Sequence, residues 1–231
     1  MPRPLRNAKG GVVYHVLNRA NARLRIFHMS RDYEAFEKIL VAAQERVQMR
    51  ILAYCILPNH WHLVLWPRKD GDLSEFMRWL TVTHTQRWHA AHRTAGSGHV
   101  YQGRFKSFPV QSDEHYLTVC RYVERNALQA TLVRQAQQWR WSSLWHRLAK
   151  ESEMKSHLIS GPLSFPDNWT RLVNQSLSDK DVEAIRPCLE RSRPFGRKQW
   201  VARIADTLGL TSTLRPRGRP KNNAKGTKKG S

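Results

Sequence analysis

Acidic residues are scarce in this chain of 231: 18 Asp and Glu stand against 39 Lys and Arg, leaving a formal net charge of +21. An imbalance of that size makes a phosphate-bearing partner, nucleic acid first, the expected ligand. Cysteine is scarce as well. Cys55, Cys120 and Cys188 are widely spaced, odd in number and free of any CxxC pair, which argues against a disulfide framework or a cysteine-rich zinc site and for a reducing cytosol. Long apolar runs are missing. None approaches the ~18–20 residues that a membrane span needs, so no membrane role is expected. The first ten residues are basic but lack a following uninterrupted apolar core, unlike a secretory signal. What is present, 40% hydrophobic residues and nine tryptophans, exceeds what a disordered basic tail would carry. The length allows one substantial core with room for a second small unit beside it.

Strands and helices alternate up to about residue 130. Val12 to Leu17 reads as a first strand, and Ser30 and Asp32 precede a helical period through Tyr33, Phe36, Ile39, Leu40 and Ala43. Arg50 to Leu57 and His60 to Trp66 form a hairpin across Pro58-Asn59, which breaks the run and favours a turn. A second helix runs from Leu73 to His92, an extended segment from Val100 to Val110, and a third helix follows Ser112-Asp113-Glu114. The order β-α-β-β-α-β-α predicts an α+β, ferredoxin-like antiparallel sheet with helices on one face. In that topology the first and third strands are central neighbours, so His60–Trp66 lies mid-sheet. After residue 148 the chain reads as a loop-rich helical extension, 149–212, with Lys198 to Leu208 as one amphipathic helix. From Arg215 it holds seven basic residues and no acid. The last stretch, 213–231, is therefore expected to be a disordered basic tail.

His60-Trp61-His62 is the most informative triplet. On a strand the two imidazoles share one face while Trp61 takes the other, so the pair can chelate a divalent metal. The same pair also fits polar residues on a half-exposed sheet. Tyr122 and Asn126 lie four apart, on one face of the third helix beside its apolar stripe. There a phenolic oxygen and a carboxamide would emerge side by side, or simply border the core.

Together the strand-borne HxH, the YxxxN helix and the positive charge resemble the single-tyrosine HUH transposases, and most closely the REP-associated tyrosine transposases with their IS200-like domain. The likeness runs through YHVLNRA at 14–20, LPNHWHLVL at 57–65, YQGRFKS at 101–107, RYVERNAL at 121–128, PFGRKQWVARIADTLGL at 194–210 and TLRPRGRPK at 213–221. It implies a catalytic domain over 1–148, Tyr122 as nucleophile, and a divalent metal, Mg²⁺ or Mn²⁺, on His60, His62 and Asn126. Attack would give a 5′-phosphotyrosine and a free 3′-hydroxyl on single-stranded or hairpin (REP-type) DNA, in a bacterial cytosol or nucleoid. A phenol with a pKa near ~10 needs activation or close placement to act as that nucleophile. Two imidazole nitrogens suit Mn²⁺ better than Mg²⁺, which prefers oxygen throughout.

Arg104 and Lys106 share a face of the last strand candidate and are expected to hold backbone phosphates. In the tail, Arg217-Gly218-Arg219 resembles an AT-hook, slim enough for an A·T minor groove; a plain polyanion-binding tail fits equally. His84, His89 and His92 read as parts of an exposed, DNA-facing helix, and Trp139, Trp141 and Trp145 as packing residues. His15, Asn18 and Arg19 stay outside the expected site. Both a monomer and a homodimer fit. The alternative function is a non-catalytic single-stranded nucleic-acid-binding protein with a ferredoxin-like sheet; a metal-dependent nuclease without a covalent link is a third.

Overall fold

The structure, a computed structural model, describes residues 8–215. Four strands, β1 (Val13–Arg19), β2 (Arg50–Leu57), β3 (His60–Trp66) and β4 (Lys106–Val110), form one antiparallel sheet in the order β2-β3-β1-β4. The turn between β2 and β3 is only Pro58-Asn59, and its carbonyls are pinned from outside. Ile26 and Phe27 donate to the Pro58 carbonyl and Ala20 to that of Asn59. His60 therefore opens β3 at a fixed position. Across the central pair Leu17 faces His62 and Arg19 faces His60, while Leu17 also faces Lys106 on β4.

Strand alternation sorts the side chains to two cores. Tyr14, Val16, Trp61, Leu63 and Leu65 meet α1 (Ser30–Val47) and α2 (Asp72–His92), whose Phe36, Ile39, Leu40, Phe76 and Leu80 are fully buried. Burying each such side chain contributes about 1.5–3 kcal/mol. Asp32 fixes the start of α1, its carboxylate accepting from the backbone N–H groups of His28 and Met29. Val13, Cys55, Val64, Phe108 and Val110 point the other way, onto Val119, Cys120 and Val123 of α3 (Glu114–Glu124). The α+β antiparallel architecture is as expected, with α1 and α2 on one face, but α3 covers the opposite one. That opposite face is where His60 and His62 lie.

Two further differences concern helices. The third helix is not continuous through Asn126: α3 ends at Glu124, and Asn126–Gln129 forms a separate turn, α4. Arg125 keeps nearly helical angles and donates to the Arg121 carbonyl, so Asn126 still stacks under Tyr122. The second helix is no uniform exposed surface. His84 is buried against the Tyr101 hydroxyl, and His92 pairs with Asp32. The helix buries a full stripe against the sheet, and His84 falls on it.

The C-terminal segments brace this core through α5 (Ser143–Leu148), α6 (Glu153–His157), α7 (Trp169–Asn174), α8 (Asp179–Arg191) and α9 (Lys198–Thr207). Trp141 stacks on Tyr33 and the Trp139 indole donates to the Ile56 carbonyl, the expected packing role for both. Residues near Ser142 and Leu158 bridge to β2, and Phe195 bridges to β4, so both outer strands of the sheet are covered. All three cysteines are buried and free. Among the described residues no helix is long and apolar enough to cross a membrane. Arg217, Gly218 and Arg219 lie outside the described residues.

Candidate nucleic-acid cleavage site

His60, His62, Arg104, Lys106, Tyr122 and Asn126 line one cleft of about 470 Å³. The sheet supplies the histidines, the segment before β4 supplies Arg104, and α3 with α4 supplies Tyr122 and Asn126 from above. The His60 and His62 rings lie 5.1 Å apart, and the Tyr122 ring lies 5.7 Å from that of His62. The Asn126 amide donates to the Tyr122 carbonyl at 3.2 Å.

Each imidazole is oriented through its Nδ1. For His60 the partner is the Asn59 carboxamide oxygen at 2.6 Å, and for His62 it is the Nε2 of His15 at 2.9 Å. Both rings thus retain Nε2 as the remaining coordinating atom. Burial lowers the pKa of His60 to about 4, with the Arg19 charge adding to the effect. Burial holds His62 well below the usual imidazole range, with His15, His60 and Arg19 acting in the same direction. The rings are therefore neutral near pH 7, as a metal ligand must be. With the carboxamide of Asn126 beside them, this donor set fits a divalent ion. Burial raises the Tyr122 pKa, opposed by a hydrogen bond with the Asn126 side chain and by the charge of Arg19.

Several residues that line or support the cleft carry no clear signal in the sequence. His15 is fully buried, stacks on Phe108 and bonds His62. Its Nδ1 has no hydrogen-bond partner among the described residues, and burial lowers its pKa to about 3. Asn18 and Arg19 line the cleft as well, and the β1–β3 register was the one available hint for them. Gln102 adds a carboxamide from the bend before β4. Leu189 and Glu190 reach the cleft from α8, which no local pattern announces.

The helix bearing Tyr122 is clamped through three residues at its C-terminal end, Arg121, Glu124 and Arg125. Arg121 donates to the carbonyls of Gln175 and Ser176, and Arg125 to those of Val173 and Asn174. Glu124, fully buried, accepts from Ser143 at 2.5 Å, from the Trp169 indole at 2.7 Å and from Arg147. A side chain on a helix held this way keeps its position without reorganisation.

A half-buried phenol, two neutral imidazoles and a carboxamide lie together under a basic rim. Residues 9–126 match the family described as transposase IS200-like, and the chain belongs to that family of DNA-acting, DNA-cleaving transposases. A solved structure described as a REP-associated tyrosine transposase bound to a REP hairpin is similar in fold, with a TM-score of 0.53 at 20% identity, over 65% of this chain and 86% of that one. A candidate transposase from Deinococcus radiodurans aligns with a TM-score of 0.39 at 15% identity, over 57% of this chain and 95% of that one. No curated protein matches the sequence.

Proposed function

We propose that this transposase cleaves and rejoins single-stranded or hairpin DNA, with Tyr122 as the nucleophile. The observation that carries the proposal is the convergence of Tyr122, Asn126, His60 and His62 in one cleft rimmed by Arg19, Arg104 and Lys106. The phenolic oxygen attacks the scissile phosphorus and loses its proton. The bond to the 3′ oxygen breaks, and that oxygen takes up a proton to leave a free 3′-hydroxyl. The 5′-phosphotyrosine retains the energy of the broken bond, so a second 3′-hydroxyl reverses the step without ATP.

The protein's part is placement and charge. Arg19 and the Asn126 side chain favour the phenolate against the cost of burial. Arg104 and Lys106 hold the phosphates that flank the scissile one. His60, His62 and Asn126 hold a divalent ion, Mg²⁺ or Mn²⁺, which when bound supplies charge neutralisation at the phosphate. The 5.7 Å between the Tyr122 and His62 rings supports a site completed within a single chain, and hence a competent monomer. The REP hairpin named for the similar structure supports a hairpin substrate. In this reading residues 1–148 are the catalytic unit, 149–212 brace it, and the basic tail 213–231 adds affinity for DNA.

The test is to trap the intermediate. A hairpin with single-stranded flanks, labelled on the 3′ side of the cut, is incubated with protein and Mn²⁺ and denatured. A labelled covalent adduct whose nucleotide-bearing peptide contains Tyr122 is the expected result. Cleavage without any adduct indicates a hydrolytic nuclease, and binding without cleavage a non-catalytic module.

A further inference from the structure

A second cleft, of about 750 Å³, opens on the other side of the segment that carries Arg104. Asn18, Gln102, Gly103 and Arg104 line both clefts, so the two are separated only by this bend of backbone. A Cβ at Gly103 would meet nothing within 4 Å, so the backbone of this bend is not crowded. The floor of the second cleft is apolar: Met77, Val82, Val100, Tyr101 and Phe105. It is also rigid, because the Tyr101 hydroxyl is held at 2.9 Å by the Trp61 indole and at 2.7 Å by His84. Val82 is 50% exposed, on the face of α2 that also carries Arg78, Thr85 and Gln86. The lining includes two arginines and His99 but no acidic residue.

We infer that this cleft receives an unstacked nucleobase of the single-stranded substrate, from the nucleotide next to the phosphate that Arg104 holds. The inference rests on the proposed function above and adds a base-binding subsite to it. Flat apolar walls accept the π-face of any base, while side-chain amides such as Gln86 and Gln102 meet its hydrogen-bonding edge. Arg104, shared by both clefts, is placed for the linking phosphate. An apolar peptide would use the floor but not the cationic, acid-free rim, which favours a polyanion.

Photocrosslinking distinguishes the possibilities. Full-length protein carrying Tyr122→Phe, which cannot cleave, is irradiated with an oligothymidine strand containing 5-iodouracil, and the cross-linked peptides are mapped. Cross-links at Phe105 or Tyr101 are expected. Val82→Glu, an exposed change that puts an anion in the cleft, is expected to reduce their yield about ten-fold. Bound strand that cross-links only elsewhere overturns the base subsite and leaves the proposed function standing. A protein that binds no strand at all contradicts both.

Discussion

The Nε2 of His15 lies 2.9 Å from the Nδ1 of His62, in a buried pair whose His15 ring stacks on Phe108. For His62 to offer Nε2 to a cation, its Nδ1 must carry the proton and donate it to His15. His15 therefore sets the tautomer and the angle of the ligand ring. His15→Phe keeps a ring against Phe108 but removes the acceptor, and it is expected to weaken Mn²⁺ binding by about 10–100-fold. Calorimetric titration measures this directly. Unchanged affinity would mean that the hydrogen bond has no bearing on the ion.

His60 and His62 are expected to matter more than Asn126 in the same titration. Alanine at both histidines removes two of the three proposed ligands and is expected to abolish measurable Mn²⁺ binding. Asn126→Ala is expected to leave a weakened site, because water can replace one oxygen ligand. A double histidine variant that binds Mn²⁺ as tightly as the parent would place the ion elsewhere.

Much of this arrangement was legible in the sequence, for local reasons. Pro58-Asn59 fixed both ends of a hairpin, and strand alternation then put His60 and His62 on one face. The i, i+4 spacing placed Asn126 beneath Tyr122 even though the helix breaks at Arg125, because the break barely changes the backbone angles. What escaped was tertiary. Nothing in Val-Glu-Arg-Asn-Ala marks an end to α3, since Glu and Arg continue a helix readily and no Gly or Pro interrupts it. The choice of sheet face for α3, the burial of His84 and the arrival of Glu190 at the cleft depend on packing between distant segments.

The buried histidines make folding sensitive to acid. Burial lowers His15 and His84 to about 3 and His60 to about 4, each from an ordinary 6.5, and holds His62 well down too. Below pH 6.5 the unfolded chain takes up protons that the folded one refuses. Their contribution is fully present above pH 6.5 and is lost as pH falls through the folded-state values. Each histidine adds a slope of up to ~1.4 kcal/mol per pH unit within that window. Urea midpoints are expected to drop clearly between pH 7 and pH 5; a flat profile would contradict neutral burial.

Glu124 holds α3 to the C-terminal brace through Ser143, Trp169 and Arg147. Glu124→Ala leaves Arg147 without its partner and is expected to cost about 3 kcal/mol, the lower end for a broken buried pair because Arg147 is partly exposed. Glu124→Gln retains most of the hydrogen bonding and is expected to cost less. Denaturant unfolding of the two variants checks the order. Equal, small losses would show that the brace is held by apolar contacts alone.

The central claim is that the Tyr122 oxygen is the nucleophile. Phenylalanine at this position retains the ring beside His62 and removes only that oxygen. Cleavage and binding of one hairpin substrate with single-stranded flanks, measured side by side for Tyr122→Phe and the parent, test it most directly. The account predicts no cleavage and no covalent adduct, with binding within a few-fold of the parent. Cleavage by Tyr122→Phe at the parent rate would contradict it.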